Sequence, residues 1–253
     1  MGRPFASDAS LSSLDVEFAA KESAALSEVT EVTSRVSPES LVVSAMELNS
    51  MGAEKFRSLS ERLHQLRRRR PLRVIQITSA VPKEGKTLTA INLAVTLARR
   101  TSWVLLVDAD LRSPTVHRML GLDPSPGLAE YLQAGQPPLP SLRRVSPEDF
   151  YFLPAGSPAA NPADLIEAGP VRTLFDQEFS RFTWVIIDSP PILPYAEPQC
   201  LAGCVDGVLI VVRAGFTQRR DLVHAVRSLE DAPVAGFVLN SSGERRQRSY
   251  YAR

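Results

Sequence analysis

The stretch Ala80-Val81-Pro82-Lys83-Glu84-Gly85-Lys86-Thr87 lies between an apolar run and a helix-forming one. Its spacing meets G-x-x-x-x-G-K-[ST] at every position but the first, where Ala80 stands for glycine. At such a junction, backbone N–H groups of the turn and of the helix start converge on phosphate oxygens. Gly85 lets the backbone approach closely and take unusual dihedrals. Lys86 then reaches the β- and γ-phosphates of a nucleotide, and the Thr87 hydroxyl coordinates Mg²⁺. Pro82, Lys83, Glu84 and Leu88 complete the cradle, with the Lys83 ammonium either near phosphate or facing water.

Two aspartate-bearing strand ends add a second kind of chemistry. Val107-Asp108-Ala109-Asp110-Leu111-Arg112 and Ile186-Ile187-Asp188-Ser189-Pro190-Pro191 each close an apolar run. In parallel α/β sheets, ligands sit beyond the carboxyl ends of the strands, so Asp108, Asp110 and Asp188 face the same rim as the phosphate loop. A carboxylate there can hold Mg²⁺ through water or take a proton from an attacking hydroxyl. A lone aspartate after a strand often only caps a helix or forms a turn. Two such ends downstream of a phosphate loop favour function, with Asp188 as the Walker B acid.

The elements that must position these residues alternate. Arg73–Thr78, Trp103–Val107, Thr183–Ile187, Gly207–Val212 and Val234–Leu239 read as apolar strands, and Tyr151–Leu153 as a short one. Leu88–Arg99, Asp164–Phe179 (broken at Gly169-Pro170) and Leu222–Leu229 read as helices, with shorter ones at Pro114–Leu120 and Gly127–Gln133. Strands apolar almost throughout, alternating with helices, imply a mostly parallel α/β sheet covered by helices on both faces. Before it, Phe56, Leu59, Leu63 and Leu66 recur at helical spacing over Ser50–Arg70. That helix ends in Arg67-Arg68-Arg69-Arg70, a solvated end or a contact for anionic partners, and Pro71 stops it.

Three segments follow from this pattern. Residues 1–48 are Ser-, Ala-, Glu- and Thr-rich and are expected to form a disordered acidic tail, with a short amphipathic helix conceivable near Leu11–Leu26. Residues 49–240 form the nucleotide-binding domain, and residues 241–253 a basic tail carrying Tyr250 and Tyr251. The formal net charge of +1 offers no global field for nucleic acid. No apolar run approaches the roughly 20 residues of a membrane-spanning helix, and a cytoplasmic location is expected. Cys200 and Cys204 read as small, semi-buried helix residues rather than a metal site or disulfide.

SAVPKEGKT, VLLVDADLRSP and WVIIDSPP resemble the Walker A, A′ and B motifs of bacterial tyrosine kinases, the cytoplasmic kinases of capsule and exopolysaccharide assembly. The likeness runs from about Glu54 to Asn240 and includes GLAEYL, LPAG, NPADLI and VDGVLIVVRAGFT. The D-x-D-x-R-x-P pattern at Asp108–Pro114 is its more specific part. Partition-type ATPases share most of the sheet but carry a signature lysine where this chain has Val81. The resemblance implies ATP and Mg²⁺ as ligands, with Thr87, Asp108 and Asp188 holding the metal. It implies that Asp108 or Asp110 takes the proton of an attacking tyrosine, that Asn240 contacts the adenine, and that Tyr250 and Tyr251 are autophosphorylated. It further implies homo-oligomers docked through Glu54 and Arg57 and recruitment to the inner membrane face by a membrane activator protein of a polysaccharide assembly system. Against the pattern stand Ser60, where an interface arginine is expected, Lys83, where glycine is common, and a tail with only two tyrosines. The alternative reading is a regulatory P-loop ATPase switch that binds a membrane partner without phosphorylating protein.

Overall fold

A computed structural model describes residues 29–36, 42–46, 49–101, 103–134 and 141–241. The expected helix near Leu11–Leu26 and the tyrosines Tyr250 and Tyr251 lie outside the described residues.

The strands are β1 (Thr30–Thr33), β2 (Val74–Ser79), β3 (Val104–Asp108), β4 (Arg143–Ser146), β5 (Phe150–Leu153), β6 (Trp184–Asp188), β7 (Gly207–Arg213) and β8 (Val234–Asn240). They form one sheet in the order β1-β4-β5-β3-β6-β2-β7-β8. Every pairing is parallel except β4 with β5, so β4 and β1 run against the rest. The register places Asp108 opposite Asp188 and Ile77 opposite Asp188, which brings the aspartate ends and the phosphate loop to one rim.

The helices are α1 (Val43–Met46), α2 (Met51–Arg67), α3 (Lys86–Ala98), α4 (Val116–Leu120), α5 (Leu128–Ala134), α6 (Pro162–Ala168), α7 (Val171–Thr173, continued by a π-helical turn over Leu174–Glu178), α8 (Glu197–Ala202) and α9 (Arg219–Ser228). Strand side chains alternate between faces. Leu105, Val107, Val185 and Ile187 therefore meet α5, α6 and the π turn, while Val104, Leu106, Ile75 and Ile77 meet α2 and α3. Helix α3 is buried from Thr89 to Ala98, so the element that begins at the phosphate loop is also the centre of one core layer. Helix α2 starts under a Ser50 cap, whose side chain accepts from the Ala53 N–H at 3.1 Å.

Two strands were hidden in polar sequence, β1 at the sheet edge and β4 beside it. Thr30–Thr33 pairs with β4, which corrects the expectation of disorder for that part of residues 1–48. Val32 and Val36 pack on one core layer and Val29 on the other; this apolar contact, with the ladder, offsets the ordering cost. The Arg67–Arg70 run divides. Arg67 donates to the Thr183 carbonyl at 2.6 Å and lies over the Trp184 ring, Arg70 donates to the Asp206 carbonyl, and Arg68 and Arg69 are exposed. Cys200 and Cys204 are free and half-buried.

Candidate active site

The turn after β2 wraps a cleft of about 540 Å³ lined by Pro82, Lys83, Gly85, Lys86, Thr87 and Leu88 from the loop. Gly85 has φ 95° and ψ 24°, a left-handed conformation that side chains resist. A Cβ at this position would run into the Asn240 amide nitrogen. Lys83 also has a positive φ, 68°, which accounts for the glycine expected there, and its side chain is exposed at the lip of the cleft.

Glu84 behaves differently from its loop neighbours. Its side chain is fully buried beneath the loop, accepting from the Val81 N–H at 3.0 Å and from the Thr217 hydroxyl. The Asn240 amide donates to the Glu84 carbonyl at 2.9 Å. Glu84, Thr217 and Asn240 thus tie the loop to the ends of β7 and β8, and neither Glu84 nor Asn240 lines the cleft. The Glu84 side chain braces the loop from beneath, while its backbone belongs to the turn expected to cradle the phosphates.

Lys86 is surrounded by carboxylates. Its Nζ donates to Asp110 Oδ2 at 2.8 Å and lies 3.9 Å from Asp188 Oδ1. Burial alone would lower the Lys86 pKa; the charges of Asp188, Asp110 and Asp108 more than reverse this and hold it above its ordinary value. Asp108 is fully buried, accepting from the Asp110 and Val116 N–H groups, each at 3.2 Å. Burial, reinforced by Asp188 and Asp110, drives its carboxyl well above the usual range. Burial also raises Asp188, to about 6, against the opposing Lys86 charge and the nearby Thr87 hydroxyl. Both Asp188 oxygens are buried and accept no well-formed hydrogen bond. Asp110 alone of the three faces the cleft.

The opposite wall was not legible in the sequence. Ser113, Thr115, Arg118, Met119, Pro191 and Tyr195 complete the cleft, and the Thr115 hydroxyl lies 3.3 Å from that of Thr87. Arg112 pairs at 2.6 Å with Glu197, which is fully buried, and covers the Tyr195 ring. The D-x-D-x-R pattern flagged Arg112, but nothing near Tyr195 or Glu197 marks them as its partners. On α2, Glu54 and Arg57 form an exposed ion pair with each other. Ser60 is buried, 2 % exposed, so the third position of the expected interface motif points into the protein.

A family model described as the CobQ/CobB/MinD/ParA nucleotide binding domain matches residues 75–252. The tyrosine-protein kinase YwqD of Bacillus subtilis is 31% identical over 201 residues, covering 79% of this chain and 85% of its own length. The succinoglycan biosynthesis transport protein ExoP of Rhizobium meliloti is 32% identical over 197 residues, 75% of this chain but only 25% of ExoP. The chain therefore spans most of the shorter relative and about a quarter of the longer one. Among solved structures, the kinase domain of the Escherichia coli tyrosine kinase ETK superposes with a TM-score of 0.77 at 24% identity, covering 84% of each chain, a likeness of fold.

Proposed function

The chain belongs to the bacterial tyrosine kinases of the CobQ/CobB/MinD/ParA nucleotide-binding family, and from that premise we propose that it transfers the γ-phosphoryl group of ATP to tyrosine, Tyr250 and Tyr251 of its own tail included, in a polysaccharide assembly system. The observation that carries this reading is a largely buried lysine held among three carboxylates at a phosphate loop. The likeness to ExoP, a succinoglycan biosynthesis transport protein, supports the polysaccharide setting.

The residues present fit Mg²⁺. Two buried carboxylate oxygens without hydrogen bonds are costly, and those of Asp188 lie beside the Thr87 hydroxyl, an oxygen donor set of the kind a hydrated divalent cation takes. Thr87, Asp188 and Asp108 would hold the ion. Bound there, Mg²⁺ would supply neutralisation of the charge that spreads over the transferring phosphoryl group.

Lys86 would exchange Asp110 for the β/γ-phosphates when ATP enters. That exchange frees Asp110, on the cleft wall, to take the phenolic proton as the tyrosine oxygen bonds to phosphorus and the bond to the departing ADP breaks. Asp108 is less suited to this task because both its oxygens already accept backbone N–H groups. The backbone N–H groups of Gly85 to Thr87 would orient the phosphates. Pro82, Lys83 and Leu88 would line the entry, and Glu84 would brace the loop from beneath. The adenine would lie toward Asn240 at the end of β8.

The exposed pair Glu54 and Arg57 would mediate self-association, bringing one copy's tail to another's cleft. Among the described residues no helix is long and apolar enough to cross a membrane. We assign the domain to the cytoplasm, where a membrane activator of the assembly system would recruit it. Incubation with ATP and Mg²⁺ followed by phosphotyrosine mass spectrometry tests the reading. Label is expected on Tyr250 and Tyr251 and should fall sharply in Tyr250→Phe with Tyr251→Phe. A double variant labelled as strongly as the wild type removes the tail as acceptor.

A further inference from the structure

Helix α9 joins β7 to β8 and turns two unlike faces outward and inward. Inward, Ala225 and Leu229 are buried, and Leu222 and Val226 pack on the same apolar cluster. Outward, Arg219, Arg220, Val223, His224 and Arg227 share one stripe at three- and four-residue spacing. The stripe begins one turn earlier at Phe216, which is 49% exposed and carries the Arg213 guanidinium 5.2 Å over its ring. Arg213 also donates to the Lys83 carbonyl at 3.2 Å, so the stripe starts at the lip of the phosphate loop.

Its chemistry is unusual for a solvated face. From Arg213 to Leu229, four arginines accompany one acid, Asp221, which lies 3.4 Å from Arg220; Glu230 and Asp231 follow beyond the helix end. Between the cations sit two exposed apolar side chains, Phe216 and Val223. Guanidinium groups alone would suit any polyanion. Apolar groups interleaved among them suit a surface with phosphates above and hydrocarbon beneath, as in helices that lie in a membrane interface.

We propose that the outer face of α9, with Phe216, docks directly on anionic phospholipid. This contact is separate from recruitment by a protein partner and does not depend on the phosphotransfer reading. Each basic side chain near an anionic bilayer strengthens binding by about fivefold. Arg219, Arg220 and Arg227 together should therefore contribute on the order of 100-fold to vesicle partitioning. Phe216 adds insertion at the boundary between headgroups and chains.

The test is cosedimentation of the full chain with phosphatidylcholine vesicles, with and without phosphatidylglycerol, at low and high salt. Binding is expected only with phosphatidylglycerol and should weaken as salt screens the charges. Arg219→Ala with Arg220→Ala and Arg227→Ala should lose about 100-fold in partitioning, and Phe216→Ala should lose binding that high salt leaves behind. Thermal melting and ATP binding should match the wild type, since these side chains are outside the core and the cleft. A parallel chain with the basic tail, residues 241–253, removed controls for its arginines and should keep α9-dependent binding. The proposal is overturned if the wild type ignores anionic vesicles, if the triple variant binds as well as the wild type, or if only removal of the tail abolishes binding. It is also overturned if the triple variant loses self-association or nucleic-acid binding while vesicle binding is unchanged.

Discussion

Replacing Gly85 by alanine tests how the phosphate loop is braced. The left-handed backbone at Gly85 would cost an alanine about 1–2 kcal/mol. The new Cβ would also displace the Asn240 amide from the Glu84 carbonyl, and a net hydrogen bond is worth about 1 kcal/mol. Gly85→Ala should therefore destabilise the fold by about 2–3 kcal/mol. Asn240→Ala alone removes the same bond and should cost about 1 kcal/mol. The two changes share that loss, so the double variant should be no less stable than Gly85→Ala, a departure from additivity of about 1 kcal/mol. Equilibrium urea unfolding of the four proteins measures this directly. Nucleotide affinity should fall in all three variants because the loop shifts in each. Strict additivity, or a Gly85→Ala protein as stable as the wild type, would refute the argument that Asn240 and Gly85 hold the loop as one unit.

Asp188→Asn keeps the shape of the Walker B side chain but removes the charge that would hold hydrated metal; it should depress Mg²⁺-dependent turnover far more than Mg²⁺-free nucleotide binding, and equal losses in titration and turnover would make Asp188 structural. Glu130 belongs to another part of the rim: burial would raise its carboxyl, yet hydrogen bonds from Ser157 and the Gly127 N–H (2.7 Å) hold it down at about 2. Its folded pKa lies below its unfolded one, so its contribution is complete above about pH 4.5 and disappears as the pH falls toward 2. Glu130→Gln should cost about 1–2 kcal/mol at pH 7, with a gap from the wild type that narrows across that window; a gap independent of pH would contradict the assignment. With Ser60 buried, the interface motif on α2 is left with Glu54 and Arg57, and light scattering should show weak, concentration-dependent oligomers; a monomer at every concentration, with and without ATP and Mg²⁺, would count against that interface.

What the sequence disclosed divides along a physical line. The phosphate loop, Asp108, Asp110 and Asp188 were legible because their chemistry is local: a strand ends, a turn exposes N–H groups, and a helix begins. The central strands were legible because burial on both faces writes continuous apolar runs. Thr30–Thr33, at the sheet edge, and Arg143–Ser146, beside it, escaped notice because a short strand with polar side chains is stabilised by its ladder, which leaves no periodic signal. The inward turn of Glu84 escaped for a different reason: its neighbours line the cleft, and its carboxylate is drawn under the loop by the Val81 N–H and by Thr217, a residue distant in sequence. The buried Ser60 and the Arg112–Glu197 pair likewise depend on contacts between distant segments.

On the proposed function, this cleft moves a phosphoryl group from ATP to tyrosine with Lys86 as its essential cation. ATP labelled at the γ-phosphate, given to the concentrated protein with Mg²⁺, measures where that group goes. Label should appear on tyrosine in the wild type and be absent in a folded Lys86→Met protein, which has lost the cation that meets the β/γ-phosphates. Label released only as inorganic phosphate, with tyrosine unmodified, would contradict the account and leave an ATPase switch in its place.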